Sequence, residues 1–338
     1  MVARSVWVMV LILLWPVSSF CQSPSLYSRS GYPMFPSRLA SGYGTNQLTF
    51  WSPSFLTRLY VRKYFGSFTS YEFPDPFPPY NDPLSRLEFN FDQWFIGFNS
   101  GYNSAYWSMN VQGEINLNQN SSLNMQDSDW DHPFNPNVKT IFSESNNRLT
   151  KGWMAEVQFT IWTPIEEVIY IRPVLGYRYQ VLDFTTHDGV QRDISGAVIG
   201  LPGESVEFEQ RFQHFYLGGL FVYSYPLRSS LGLTPIFQLA FQTDCAIVAA
   251  KNEDLHLLRP GERITQETTT GYCWHLCLEM TCTLIESLRA GLEFDFKRMD
   301  THGSHHLINA PLGIDFSFDG ARVWSEQASV SAIAEITF

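Results

Sequence analysis

Charged residues are scarce in this chain. Asp, Glu, Lys and Arg make up 16% of its 338 residues, whereas an ordinary soluble domain has about 25%. The formal net charge is -11, and an acidic balance argues against nucleic acid or anionic lipid as the main partner. Beyond the N-terminus, no stretch reaches the roughly 20 apolar residues of a membrane helix. If this chain enters a membrane, the pattern favours strands over helices.

The N-terminus has the features of an export signal. Residues 1–21 contain Arg4, the apolar run "VWVMVLILLWPV" and small residues before the expected cleavage point, which predicts a secretory signal peptide. The run of about a dozen apolar residues is too short to span a bilayer. A lipidated Cys21 is the alternative, and Phe20 just before it is a poor fit. Residues 22–56, rich in Ser, Pro, Tyr and Gly, are interpreted as an N-terminal extension.

Period-two alternation dominates the rest of the sequence. The C-terminal "SVSAIAEITF" places apolar residues on one face and mostly polar residues on the other, and it ends on Phe338. The stretches "LRAGLEFDFK", "LEFNFD" and "WMAEVQFTI" alternate in the same way. Abundant aromatic residues, 16% of the chain, and alternating strands are typical of a membrane β-barrel, whose side chains face lipid and lumen in turn. A soluble sandwich also alternates, but rarely follows an export signal.

The alternating runs predict the fold class. Residues 57–338 are expected to form an all-β domain, a ten-stranded antiparallel transmembrane β-barrel with long extracellular loops. Short periplasmic turns are expected at "WTPIEE", "YPLRSS" and "TLIES". The predicted strands are 57–72, 86–98, 103–117, 149–163, 167–187, 205–225, 231–254, 263–284, 287–300 and 323–338. The predicted outer loops are 73–85, 118–148, 188–204, 255–262 and 301–322.

An Asp-x-His pair lies at the outer end of one predicted strand. In "IFQLAFQTDCAI", residues 236–247, the odd-numbered positions are mostly apolar, which places the even-numbered ones in the lumen. Continued upward, this parity turns Asp254 and His256 inward, about 7 Å apart along the backbone and within side-chain contact. A bulge between 248 and 252 would reverse their direction. Taken alone, such a pair is more often a solvated rim feature than a catalytic one.

A second acidic cluster lies in the predicted loop 118–148. "MQDSDWDHP" contains Asp127, Asp129 and Asp131, with Asp127 and Asp129 again two positions apart. A hard-cation site is one interpretation, but the Asp, Asn and Gly spacing of an EF-hand is missing. An acidic outer loop without a specific role is the other.

Several motifs, in one order along the chain, resemble the omptins, a family of outer-membrane endopeptidases. "DSDWD" followed by "FSESNNRLTKGW" is similar to the Asp-x-Asp-Trp loop and Glu-Ser motif of that family. "LPGESVEFEQRF" and "NEDLHLLRPGERIT" resemble two further omptin stretches, and the terminal Thr-Phe also agrees. The resemblance covers most of residues 60–338.

The resemblance implies a catalytic site formed by two couples. Asp127 and Asp129 would face Asp254 and His256 across the mouth of the barrel, outside the bacterial outer membrane. A water between Asp127 and His256 would attack the peptide carbonyl directly, since a neutral imidazole is a suitable general base near neutral pH. No covalent nucleophile, metal or cofactor is implied. Ser145, in the Glu-Ser motif, has no adjacent base in its motif and is interpreted as structural.

The resemblance also implies partners. Peptide or protein substrates with Arg or Lys at the cleavage site would bind near Glu72, Asn252 and Glu253. Relatives with a dibasic preference carry Asp at the position of Asn252, so a looser preference for basic residues is expected. Outer-membrane lipopolysaccharide, a possible activator, would bind the outer face near Tyr177 and Arg211. The expected Glu and Arg at positions 179 and 181 are Tyr and Val, which predicts a weaker or differently built lipid site.

Two other functions are compatible with a membrane barrel. A non-catalytic barrel acting as an adhesin or receptor is the main alternative to an enzyme. A diffusion pore is disfavoured, because side chains fill the lumen of a ten-stranded barrel.

The cysteines that remain after signal cleavage are placed too far apart, or on opposite faces, to form bridges. They are expected to be mostly free thiols: Cys245, Cys273, Cys277 and Cys282.

Overall fold

The computed structural model describes residues 54–104, 106–161, 170–226, 236–259, 261, 263–285 and 287–338. The predicted signal peptide and nearly all of the predicted extension lie outside these residues. The strands are β1 (Ser54–Tyr64), β2 (Ser67–Phe73), β3 (Ser85–Phe91), β4 (Trp94–Asn103), β5 (Trp107–Asn116), β6 (Asn120–Asp129), β7 (Ile141–Ile161), β8 (Tyr170–Asp193), β9 (Val198–Pro226), β10 (Ile236–His256), β11 (Arg263–Ile285), β12 (Leu288–Asn309) and β13 (Ile314–Thr337). A short 3-10 turn, Ala310–Leu312, joins the last two.

These strands form one antiparallel sheet that closes on itself. Strand β13 pairs with β1 at its C-terminal end and with β2 nearer its start. Strand β7 similarly pairs with β5 in its second half and with β6 in its first half. Three barrel strands are therefore interrupted, and each consists of two successive segments: β1 with β2, β3 with β4, and β5 with β6. Together with the seven continuous strands β7 to β13 they make a ring of ten, which confirms the predicted fold class.

The predicted alternation corresponds to an apolar outer wall. Large apolar side chains stand exposed around the barrel, among them Leu217, Ile247 and Trp274, each more than 60% exposed. In β13 the serines at 329 and 331 are buried, whereas Ile336 is 42% exposed. An exposed apolar band on the outer wall is what lipid contact requires. Among the described residues, no helix is long and apolar enough to cross a membrane.

The lumen is filled with paired polar side chains. Arg62 contacts Glu114 at 2.8 Å, and His275 bridges Asp244 and Asp295 at 2.7 Å on each ring nitrogen. All five side chains are at most 8% exposed. Buried charges are tolerated when they are paired and hydrogen-bonded, and these side chains occupy part of the barrel interior.

The outer connections are shorter than predicted. Much of 118–148 belongs to β6 and β7, and most of 301–322 belongs to β12 and β13. Beyond the membrane both faces of a strand meet polar surroundings, so the alternation fades while the backbone pairing continues. The barrel wall thus extends outward, and both predicted couples, Asp127 with Asp129 and Asp254 with His256, lie on strands. The four described cysteines, which lie in β10 and β11, are free thiols, as predicted.

Candidate active site

Asp254 and His256 lie at the outer end of β10 and point into the lumen. The register of β10 is continuous from Val248 to His256 against both neighbouring strands, so the bulge that would reverse these side chains is absent there. Asp254 is fully buried and His256 is 6% exposed. Nε2 of His256 lies 3.3 Å from Oδ2 of Asp254. The predicted contact between the two side chains is confirmed.

Asp127 and Asp129 reach the same region from β6. This strand is held between β3 and β7, with Asp127 opposite Leu87 and Ser143. Asp127 and His256 both line a cavity of about 150 Å³. The remaining lining is uncharged except for Arg259, and consists of Met125, Ser143, Ser145, Gln191, Leu201, Ser205, Val206 and Leu258. The tertiary structure therefore brings together two side chains that are far apart in the chain.

The two β6 carboxyls are electrostatically unusual. Burial, then the neighbouring Asp129 and Asp254, hold the pKa of Asp127 well above its usual range. Burial also raises the pKa of Asp129, although a hydrogen bond to Ser85 opposes the shift. Oδ1 of Asp127 is buried without a hydrogen-bond partner among the described residues. Both carboxyls therefore take up protons at a higher pH than an exposed Asp does.

Tyr71, which the sequence analysis did not single out, belongs to the site. It lies on β2, and its fully buried hydroxyl donates a short hydrogen bond to Oδ2 of Asp254. Burial and the adjacent Asp254 raise the pKa of the phenol, which keeps the hydroxyl proton in place. Strand parity alone turns Tyr71 toward the lumen, but it does not show which residue across the barrel the hydroxyl meets.

Arg263 contacts the imidazole of His256. Nη2 of Arg263, at the start of β11, lies 2.9 Å from Nε2 of His256. A guanidinium can only donate, so a hydrogen bond from Arg263 needs an unprotonated Nε2. The Asp254 carboxylate, 3.3 Å from the same nitrogen, needs a protonated one, so the two contacts require different protonation of Nε2.

Behind Asp254 lies a second buried acid–imidazole pair. Oε1 of Glu267 is 2.8 Å from Nδ1 of His305, and the His305 ring stacks on Phe73 at 4.0 Å. Burial, then Asp254, raises the pKa of Glu267 well above its usual range. Burial and the nearby Arg263 lower the pKa of His305 to about 3. Both directions favour uncharged side chains, so this pair adds little net charge next to Asp254.

Two residues predicted to bind the substrate lie away from the cavity. Glu72 follows Tyr71 on β2 and points to the opposite face, where its carboxylate is held by Arg86 at 2.6 Å and Arg322 at 3.4 Å. Glu253 is exposed on the outer face of β10 and accepts a hydrogen bond from Gln266. Since neighbouring strand residues face opposite sides, neither carboxylate can share the lumen with Asp254. Their role in substrate binding stays a prediction.

Asn252 is the third predicted substrate-binding residue, and it does face the lumen. It is 4% exposed and lies next to the Glu267 carboxyl. Its amide brings no charge to the site.

The predicted lipopolysaccharide contacts lie on the outer wall. The Tyr177 ring packs against Phe215 with a centroid distance of 4.7 Å, and the half-exposed Arg211 pairs with Glu209. Arg178, the residue nearest in sequence that could replace the missing phosphate contact, points inward and pairs with Glu156 at 2.6 Å. Within the described residues, no group of three or more His, Cys, Asp or Glu side chains is arranged to hold a metal ion.

Fold and site together define an outer-membrane β-barrel with a cluster of acids and an imidazole at its outer mouth. A profile described as the omptin family matches residues 81–273. The chain therefore belongs to the omptin family, a membership that assigns it to the proteases of the bacterial outer membrane. Comparison with curated protein sequences finds no match.

One solved structure supports the fold. The outer membrane protease OmpT from Escherichia coli is similar with a TM-score of 0.73 and 16% identity, over 84% of this chain and 97% of that one. At this identity the likeness shows the fold alone. The transport unit of the autotransporter AIDA-I from Escherichia coli has a TM-score of 0.36 and 9% identity, over 90% and 95% of the two chains. The translocator domain of NalP from Neisseria meningitidis has a TM-score of 0.30 and 7% identity, over 82% and 87%. Scores this low support no conclusion about the fold or the function.

Proposed function

We propose that this protein is an endopeptidase that cleaves peptides at the cell surface by direct attack of an activated water. One observation carries the proposal: Asp127 and His256 line one cavity at the outer mouth of the barrel, with Asp254 at 3.3 Å from the imidazole. An acid and an imidazole at one cavity can act on a water as general acid and base, so that no covalent intermediate is needed.

In the proposed reaction His256 is the general base. A water held between Asp127 and His256 loses a proton to the imidazole and attacks the scissile carbonyl carbon through its oxygen. The carbon–nitrogen bond then breaks, and the imidazolium returns the proton to the leaving amine. Asp254 stabilises the imidazolium, because an opposite charge at this distance favours the charged ring. Asp127 and Asp129 hold the water and exchange protons, since their titrations are linked.

Two groups compete for Nε2 of His256. Arg263 Nη2 lies 2.9 Å from it and the Asp254 carboxylate 3.3 Å. The guanidinium can bond only an unprotonated Nε2, and the carboxylate only a protonated one. In the proposed reaction the ring nitrogen that does not bond Asp254 takes the proton from water.

For the substrate we propose a loose preference for Lys or Arg beside the cleaved bond. The support is the pair Asp127 and Asp129, whose carboxyls in their charged form would attract a basic side chain. Glu72 and Glu253 give no such support, because their carboxylates lie on the outer face, and Asn252 is uncharged. The site also contains Arg259 and Arg263, so we expect uncharged residues to be accepted at a measurable rate.

Lipopolysaccharide is proposed as an activator bound on the outer wall. Tyr177 and Arg211 would contribute, with the aromatic surface packing against acyl chains and the guanidinium meeting a phosphate. Arg211 is already paired with Glu209, which supports a weaker lipid site than a free arginine would provide.

The experiment compares His256→Ala with a matched control, His306→Ala. His306 also forms an Asp–His pair near the outer rim, with Asp315 at 2.8 Å, but that pair is exposed. Intact cells that display each protein are given quenched peptides that differ only in Arg, Lys or Gln at one position. We expect His256→Ala to abolish cleavage and His306→Ala to retain it, at equal surface display. Equal activity in wild type and His256→Ala would refute the catalytic role of His256, and a wild type inactive on every peptide would favour an adhesin or receptor.

A further inference from the structure

The contacts of Tyr71 single it out among the tyrosines of the lumen. Its hydroxyl donates to Oδ2 of Asp254, the same oxygen that lies 3.3 Å from Nε2 of His256. The phenol ring is stacked on Phe208 with a centroid distance of 5.5 Å and an interplanar angle of 19°. The ring is fully buried, so packing fixes both the ring and the direction of its hydroxyl.

Asp254 depends on this hydroxyl. The carboxyl is fully buried, and its other oxygen, Oδ1, has no hydrogen-bond partner among the described residues. A buried carboxylate that lacks hydrogen bonds is costly, and without a donor its orientation is not fixed. Among the described residues, Tyr71 is the neutral donor that bonds the Asp254 carboxyl. In the proposed reaction this carboxyl stabilises the His256 imidazolium.

We propose that Tyr71 is a positioning residue for the Asp254–His256 pair, with its hydroxyl holding the Asp254 carboxylate where it meets the imidazole. The inference rests on the proposed function. Tyr71 touches neither the cavity nor the reacting atoms, and it acts through Asp254. The hydroxyl comes from β2, whereas the pair it aligns lies on β10, so the alignment depends on the closed barrel.

The titratable and charged groups around Asp254 come from several strands. Tyr71 on β2 and His256 on β10 contact it directly. Glu267 on β11 and Asp127 on β6 lie close enough to feel its charge. On β12, His305 also feels the Asp254 charge, and Arg263 on β11 contacts His256. Since these neighbours complicate a pH profile, the test relies on kcat and KM.

The test compares Tyr71→Phe with Tyr64→Phe in the full-length barrel. Tyr64 is an equally buried lumenal tyrosine that donates to a carboxylate, Glu114, at 2.8 Å, deep in the barrel. Losing a hydrogen bond to a charged group is expected to lower kcat of Tyr71→Phe about 10- to 100-fold, with KM within about twofold of wild type. Tyr64→Phe is expected to keep both constants within about twofold, although it loses the same kind of bond.

A double-mutant cycle tests whether Tyr71 acts through Asp254. In an Asp254→Ala background, Tyr71→Phe should cause no further loss of kcat, because the acceptor is already gone. A wild-type kcat in Tyr71→Phe, or losses that multiply in the double variant, would overturn the positioning role. Failure of the proposed function is a separate result, in which His256→Ala cleaves as fast as wild type.

An isosteric substitution covers the case in which Tyr71→Phe does not fold. Site-specific incorporation of a fluorinated tyrosine keeps the ring and hydroxyl and makes the hydroxyl a stronger donor. We expect kcat to change at least twofold when position 71 is fluorinated and to stay constant when position 64 is. Equal kcat values at both positions would overturn the inference.

Discussion

Replacement of Asp127 by Asn should stabilise the folded barrel at alkaline pH while it removes activity. Burial and two neighbouring carboxyls raise the pKa of Asp127 well above its usual range. The folded protein therefore keeps this proton at pH values where the unfolded chain has lost it. The stability that the group contributes is full below the ordinary Asp pKa of about 3.9, and it is lost as pH rises through the folded-state pKa.

The magnitude follows from what the substitution changes. Asn removes the buried charge next to Asp129 and Asp254, but the buried oxygen that lacks a partner remains. Relief of an incompletely hydrogen-bonded buried charge is worth about 1–3 kcal/mol. We therefore expect Asp127→Asn to raise the free energy of unfolding by about 1–3 kcal/mol at pH 8 and by much less at pH 4.

The assay is a urea titration in detergent micelles, followed by tryptophan fluorescence at both pH values. Asp193→Asn serves as the control, because hydrogen bonds from Ser195 and the backbone lower the pKa of that exposed carboxyl. Its removal should cost stability above the unfolded Asp pKa, which is the opposite sign. An Asp127→Asn barrel that is no more stable than wild type at pH 8 would refute the electrostatic picture of the site.

Two further predictions concern the barrel itself. Asp295→Ala removes one of the two carboxylates that hold His275 at 2.7 Å, and breaking this buried pair should cost about 3–5 kcal/mol in the same urea titration; an unchanged midpoint would show that the bridge does not stabilise the barrel. Gly97→Ala places a methyl group 2.2 Å from Cζ of Tyr60, so the packed ring must move at a cost of about 1–3 kcal/mol. Gly200→Ala, where a Cβ meets nothing within 4 Å, is the control, and equal stability of the two glycine variants would contradict the predicted clash.

Strand parity predicted the direction of the Asp254 and His256 side chains because β10 keeps a regular register to its last residue. Strand parity also bears on the predicted substrate-binding residues. Glu72 was placed near the substrate from its resemblance to a family position, and a shift of one residue along a strand turns a side chain to the other face. Tyr71, its neighbour, takes the lumenal position and meets Asp254.

The outer halves of the strands escaped prediction for a different reason. Residues 120–129 and 300–309 are paired strands, but they carry little of the alternation that marks a lipid-facing wall. Above the membrane, apolar side chains are no longer required on the outer face, while the backbone hydrogen bonds still hold the sheet together. Periodicity therefore finds the membrane part of such a barrel and underestimates its height.

The sequence by itself determined the class of fold, because a wall between lipid and a polar lumen imposes a period of two that can be read residue by residue. It also determined which acids and which histidine were candidates for the site. Only the tertiary structure decided that Asp127 and His256 line one cavity, that Tyr71 holds Asp254 and that Arg263 occupies Nε2. The first two contacts join strands from different sides of the barrel, and their geometry depends on how the sheet closes, which no local pattern encodes. Arg263 and His256 are register partners on the neighbouring strands β11 and β10, but strand pairing alone does not show that their side chains meet.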